Sequence, residues 1–244
     1  MPRLSEIAKQ TARILKAFTK ENKEWSISEL AKHLGYAKSS VHGIVQALVK
    51  EEILERKTDT GLYSYGIKII SFGLLVLSEI EVRKVARPYL KDIAEITGET
   101  VFLCMCVDKK IKIVDAIESS NSLKVSLDIG SELPKDRGAA AKILYAYLPE
   151  EERKSIEENK LIDTSIIRQA LPFFLKKGFV FSEEEVYENI NAIAAPILNS
   201  NGKLEAIVAV GGLSSRFNRE KMFEAGDILK SKCNEISERI WYKV

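Results

Sequence analysis

Lys38, Ser39, Ser40, His42, Gly43 and Gln46 fall at spacings that put them on one side of a helix, opposite an apolar stripe. Ammonium, hydroxyl, imidazole and amide groups of this kind hydrogen-bond phosphate oxygens and base edges, and the small residues among them permit close approach. A few residues on, Arg56 and Lys57 suit phosphates. This is binding chemistry rather than bond-making chemistry. Cys104 and Cys106 alternate along one strand, but no histidine follows His42 to complete a metal or Cys-His site, so both read as small fillers of a sheet face. Asp115 with Glu118, and the Glu183 to Glu185 run, offer carboxylates of the sort usually found in solvated turns. There is no phosphate loop and no nucleotide fingerprint. The expectation is a protein that is not an enzyme and holds neither metal nor cofactor.

The elements that must carry the polar face can be read around it. Ser26 and Glu29 stand in the S-x-x-E relation that caps a helix start, and Gly35 can end that helix in a left-handed conformation. In the next segment, Ala37 to Lys50, the residues Val41, Ile44, Val45, Leu48 and Val49 recur at helical spacing and form the packing stripe. Residues 53–65 then read as a hairpin whose 55–61 turn forms a wing. A short helix, a tight turn, a second helix and a wing make a winged helix-turn-helix, which lays its second helix in the major groove of duplex DNA. The alternative is a winged-helix scaffold that binds partners without specific DNA contact. Residues 1–65 hold 11 Lys and Arg against 8 Asp and Glu, while the remainder holds 26 against 27. So modest a charge gives weak phosphate attraction, which favours two copies on paired half-sites.

The 244 residues, with 45% apolar content, suffice for a second domain. Three cysteines are too few for a disulfide scaffold, no apolar run approaches the roughly 20 residues of a membrane span, and the N-terminus lacks a secretory core, so a cytoplasmic protein away from membranes is expected. A first helix over residues 5–20 would turn Ile7, Ile14, Leu15 and Phe18 inward. Residues 66–79 are too apolar to lie free in water and read as a linker helix that packs on its twin in a second copy, the alternative being burial within its own chain. A helix over 79–97 follows, with Val82, Val85, Leu90, Ile93 and Ile96 inward, ended by Gly98. Strands are expected at 100–107, 111–117 and 123–127, helices at 138–147 and over 150–177 broken by Pro172, strands at 179–181, 190–198 and 204–212, and a last helix from 218 to 241. The division is thus residues 1–65 as DNA-binding head, 66–79 as linker helix and 80–244 as an α+β domain with one sheet covered by helices.

Ala37-Lys-Ser-Ser-Val-His42, Tyr65-Gly66, Gly98-Glu-Thr-Val101, Leu133-Pro134, the stretch from Leu144 to Pro149, Ile193-Ala-Ala-Pro196 and Ser214-Ser-Arg216 occur in an order and spacing that resemble the IclR family of bacterial transcriptional regulators. The resemblance runs through nearly the whole chain. It implies a winged-helix head, a linker helix and a GAF-like, antiparallel-sheet effector-binding domain. It further implies a homodimer or dimer of dimers that binds a double-stranded operator, more often as repressor, and answers a small-molecule effector such as an organic or aromatic acid. Carried across by position, it places the effector among Val125, Leu133, Gly138, Ala139, Ala140, Ser182, Ala192, Ala209 and Gly211.

The residues themselves agree in part. Small residues after Leu133-Pro134 let the amides of a helix start approach an anion, with Arg137 beside them; close helix-to-sheet packing would use the same small residues. The chain also departs from the family pattern. Asp136 stands where many relatives carry histidine, Ala192, Ala209 and Gly211 replace polar pocket groups, and Gly43 replaces a frequent basic residue. A buried carboxylate needs several donors, so a bulkier or less polar effector is expected. Its binding would act through the linker on the spacing of two recognition helices.

Overall fold

A computed structural model describes residues 6–19, 21–158 and 164–241. The chain forms two compact units, Met1–Ser78 and Glu79–Val244. In the first, helices α1 (Glu6–Lys16), α2 (Ile27–Leu34) and α3 (Lys38–Lys50) are followed by strands β1 (Leu54–Arg56) and β2 (Tyr63–Tyr65) and by helix α4 (Lys68–Glu79). The Ser26 hydroxyl accepts the Glu29 amide at 3.2 Å, the Ser26 amide donates to the Glu29 carboxylate at 3.1 Å, and Gly35 closes α2 at φ 69°. Ile14, Leu30, Val41, Val45, Leu48, Leu54 and Tyr63 make the small core.

Helix α1 is shorter than the expected 5–20 span, and residues 5 and 20 lie outside the described residues. The backbone near its end is satisfied by side chains instead of a further turn: Trp25 Nε1 donates to the Ala17 carbonyl at 3.1 Å and the Tyr65 hydroxyl to the Leu15 carbonyl at 2.6 Å. Phe18 packs inward from beyond the helix, whereas Ile7, expected inside, is 67% exposed because the first turn reaches past the core. Most residues of α4 are apolar but none is buried; Ile70, Phe72, Leu74, Leu75 and Val76 are all exposed.

In the second unit, helix α5 (Glu81–Thr97) precedes strands β3 (Thr100–Val107), β4 (Lys110–Ile117) and β5 (Glu132–Leu133). Helices α6 (Ala139–Tyr147), α7 (Glu150–Glu158) and α8 (Ser165–Lys177), strands β6 (Val180–Glu183), β7 (Ile190–Leu198) and β8 (Leu204–Leu213), and helix α9 (Arg219–Trp241) complete it. The six strands form one antiparallel sheet in the order β5-β4-β3-β8-β7-β6. Alternation assigns its faces. Val101, Leu103, Val208 and Val210 pack with α5 and α9 on one side, and Phe102, Cys104, Ile207 and Ala209 pack with α6 and α8 on the other.

Four expectations are corrected. Residues 123–127 alternate as a strand would but do not pair; β5, at 132–133, takes the edge of β4, and the 123–127 segment is tied instead to the start of β3, where the Thr100 hydroxyl donates to the Val125 carbonyl at 2.7 Å. Pro172 does not break a helix. It sits inside α8 on the exposed side, where buried Ile167 and Phe174 hold the turns despite the lost N–H; the expected span is covered by α7 and α8, and its residues 159–163 lie outside the described residues. Ile96, in the last turn of α5, is 56% exposed. Cys106 is exposed while Cys104 is buried, because the end of β3 faces an open hollow edged by the end of α6 and by α7 instead of the packed middle of the sheet. No described helix is long and apolar enough to cross a membrane.

Candidate functional site

The polar face of α3 divides in two. Lys38, His42 and Gln46 succeed one another at four-residue spacing and share a concave surface with Arg56, Gly61 and Tyr63 of the hairpin, Ser28 of α2 and Ser26 at its N-cap. Ser39, Ser40 and Gly43 are equally exposed but look into a shallow groove against Ile7, Gln10 and Thr11 of α1. The N-cap residue of α3, Ala37, makes no side-chain cap, so the first amides of the helix remain available to an anion.

Arg56 and Lys57 differ in what they can do. Arg56 donates Nε to the Gly61 carbonyl at 3.2 Å and lies 6.0 Å from the centre of the Tyr63 ring, an arrangement that leaves its other donors free at the wing. Lys57 is held by Glu55 at 2.5 Å, which raises its pKa by hydrogen bonding and attraction and lowers that of Glu55. A phosphate would have to compete with that carboxylate.

In the second unit all ten expected residues, Val125, Leu133, Arg137, Gly138, Ala139, Ala140, Ser182, Ala192, Ala209 and Gly211, line one cavity between the sheet and the start of α6. Phe102, Leu127, Pro134, Val186, Tyr187, Ile190 and Val210 complete its wall. Sequence reasoning missed these seven, although the alternation of β3 already puts Phe102 on the same face as Cys104. Strand register explains the convergence: Ala192 pairs with both Ser182 and Gly211, and Ala209 pairs with Phe102. Gly138 takes φ 89° and a Cβ there would meet Val186 Cγ2 at 2.6 Å, so a larger residue is excluded on both counts.

Arg137 is the only charged side chain in the lining, and Ser182, 2% exposed, supplies a hydroxyl. The volume is about 70 Å³, below the roughly 300–1,000 Å³ of usual ligand sites. The lining is almost entirely apolar, and a guest larger than this volume would have to displace the wall.

The Glu183 to Glu185 run is not merely a solvated turn. Glu185 accepts the Gly138 amide at 3.0 Å and pairs with Lys142, whose Nζ also donates to the Phe181 carbonyl at 2.8 Å. The Gly138 amide at the start of α6 is therefore occupied by an internal carboxylate. The same contact fastens the turn that carries Val186 and Tyr187, with Glu184 (φ 54°) and Asn189 (φ 62°) in left-handed conformations at its ends. Elsewhere Asp115 pairs with Arg83 and Arg87, while Glu118 pairs with Lys124, so they are not a catalytic pair. No cluster of three or more potential metal ligands occurs among the described residues. Burial pushes the Cys104 thiol up to about 12, so it is no nucleophile.

Comparison with known proteins gives a consistent picture. The family description "Bacterial transcriptional regulator IclR C-terminal" matches residues 74–238, and "IclR helix-turn-helix domain" matches residues 8–58. The HTH-type transcriptional regulator KipR of Bacillus subtilis is 28% identical over 226 residues, covering 89% of this chain and 90% of its own. The HTH-type transcriptional regulator XynR of Escherichia coli is 24% identical over 242 residues, covering 93% and 96%. Among solved structures, an IclR family regulator from Brucella abortus superposes with TM-score 0.81 at 24% identity, covering 98% of this chain and 93% of its own. An IclR homologue from Microbacterium hydrocarbonoxydans, complexed with 4-hydroxybenzoate, shares the fold at TM-score 0.74 and 18% identity, covering 96% and 99%.

Proposed function

The chain belongs to the IclR family of bacterial transcriptional regulators and is a DNA-binding regulator rather than an enzyme; on that premise we propose that a small molecule entering the cavity beside α6 controls its hold on an operator. The observation that carries this reading is the cavity lined by Ser182, Arg137 and fifteen further, mostly apolar or small residues, placed against the start of α6, where the Gly138 amide is bridged to the Glu185 carboxylate. The operator face is built from Lys38, Ser39, Ser40, His42, Gly43, Gln46 and Arg56, with Lys57 secondary because Glu55 holds it.

The exposed apolar side of α4 supports pairing with a second copy, which would present two recognition helices at a fixed half-site spacing. The effector acts if it binds two arrangements of that pair unequally, a coupling typically worth about 1–3 kcal/mol. Repression is the sign we adopt, since relatives such as AllR of Escherichia coli are named repressors. A weakly polar acid whose carboxylate stays at Arg137 while its body enters the apolar interior fits the lining best.

The test is a thermal-shift titration with aromatic and aliphatic acids, 4-hydroxybenzoate first, followed by operator-binding titrations with any acid that stabilises. Ligand at 100 times its Kd should stabilise by about 2.7 kcal/mol and weaken operator binding. Stabilisation that survives unchanged in Ala209→Leu, which fills the cavity, would refute the location.

A further inference from the structure

Gln46 is exposed on α3 and on its own would be a poor discriminator, because a free carboxamide can turn over and offer either donor or acceptor to a base. It is not free. Its Nε2 donates to the Tyr63 hydroxyl at 3.0 Å. Tyr63 is a fixed point: it is 6% exposed in the core of the first unit, its amide donates to the Trp25 carbonyl at 2.8 Å, its carbonyl accepts the Trp25 amide at 3.0 Å, and it stands opposite Arg56 in the hairpin. Its ring also backs the Arg56 guanidinium.

We propose that Tyr63 is a positioning residue that holds the Gln46 amide in one orientation, and that Gln46 so held selects adenine at one position of the operator. One Nε2 hydrogen is spent on the hydroxyl. The remaining N–H and the carbonyl oxygen form an adjacent donor and acceptor, the complement of N7 and N6 of adenine in the major groove. Guanine presents two acceptors there, which would set O6 against the amide oxygen. The inference rests on the operator-binding reading, and it adds a hairpin residue that itself need not touch DNA.

The test takes the full chain and its Gln46→Ala, Tyr63→Phe and doubly substituted variants through selection from a randomised duplex library, then titrates the enriched duplex and its single-pair substitutions. Tyr63→Phe keeps the buried ring and removes only the hydroxyl. The parent should prefer an A·T pair at one position by roughly 5- to 150-fold. Tyr63→Phe should lose most of that preference at that position alone, with the other positions and the salt dependence unchanged, and should add nothing to Gln46→Ala. A Tyr63→Phe profile that superimposes on the parent, or a loss spread evenly over the site, overturns the proposal. A parent that enriches no sequence overturns the operator-binding reading beneath it, which is a distinct result.

Discussion

Replacing Glu185 with alanine should destabilise the second unit substantially, and the structure sets the size. The Lys142 side chain is 5% exposed and that of Glu185 15%, so the substitution strands a buried ammonium and an unpaired Gly138 amide. Removing one member of such a pair costs about 3–5 kcal/mol. The lower end applies, because Lys142 keeps its bond to the Phe181 carbonyl. For a unit of this length each kcal/mol corresponds to about 2–4 °C, so a loss of about 3 kcal/mol lowers Tm by about 6–12 °C. Thermal unfolding followed by circular dichroism measures it. The companion variant, Glu185→Leu with Lys142→Met, removes both charges and should recover most of the loss. A single variant that melts with the parent, or a double variant that melts as low as the single, would refute the pairing. The same variant bears on function: with the turn carrying Val186 and Tyr187 unfastened from α6, larger acids should bind than the parent accepts.

Arg56→Ala should weaken binding to all duplexes alike and reduce the salt slope by about 1, while Lys57→Ala changes both less because Glu55 already holds that ammonium; titration against potassium chloride compares them. Gly211→Ala places a methyl 3.7 Å from Phe102 and Val125, an ordinary contact, so folding should persist while effector response falls, measured by thermal shift. Of the three cysteines only Cys106 is exposed, so a thiol reagent should modify one group in the native protein; burial raises the Cys104 thiol to about 12 and raises that of Cys233 as well, and both should react only on unfolding.

Local patterns carried much of this protein without tertiary help. The Ser26 and Glu29 capping box, Gly35, the stripe from Val41 to Leu48, the alternation of β7 and the break at Gly98 are short-range signals, and each acts through neighbours within a few residues. The resemblance to the family, carried across by position, implied nine of the ten cavity residues, with Arg137 added beside them; they lie on six separate segments, three of which the antiparallel register of β8, β7 and β6 draws together. What one sequence could not show depended on partners distant along the chain. The run 123–127 has a strand's alternation, yet whether it pairs is decided by which segment reaches the edge of β4, and 132–133 reaches it. Pro172 breaks helices locally, yet the burial of Ile167 and Phe174 against the sheet outweighs the lost hydrogen bond. Glu185 looked solvated until the fold set it against Lys142, and Gln46 looked free until the hairpin brought the Tyr63 hydroxyl to it. The contacts that decide for β5, Glu185 and Gln46 join residues 17 or more positions apart, and sequence periodicity holds no information on which of several chemically able partners folding will deliver.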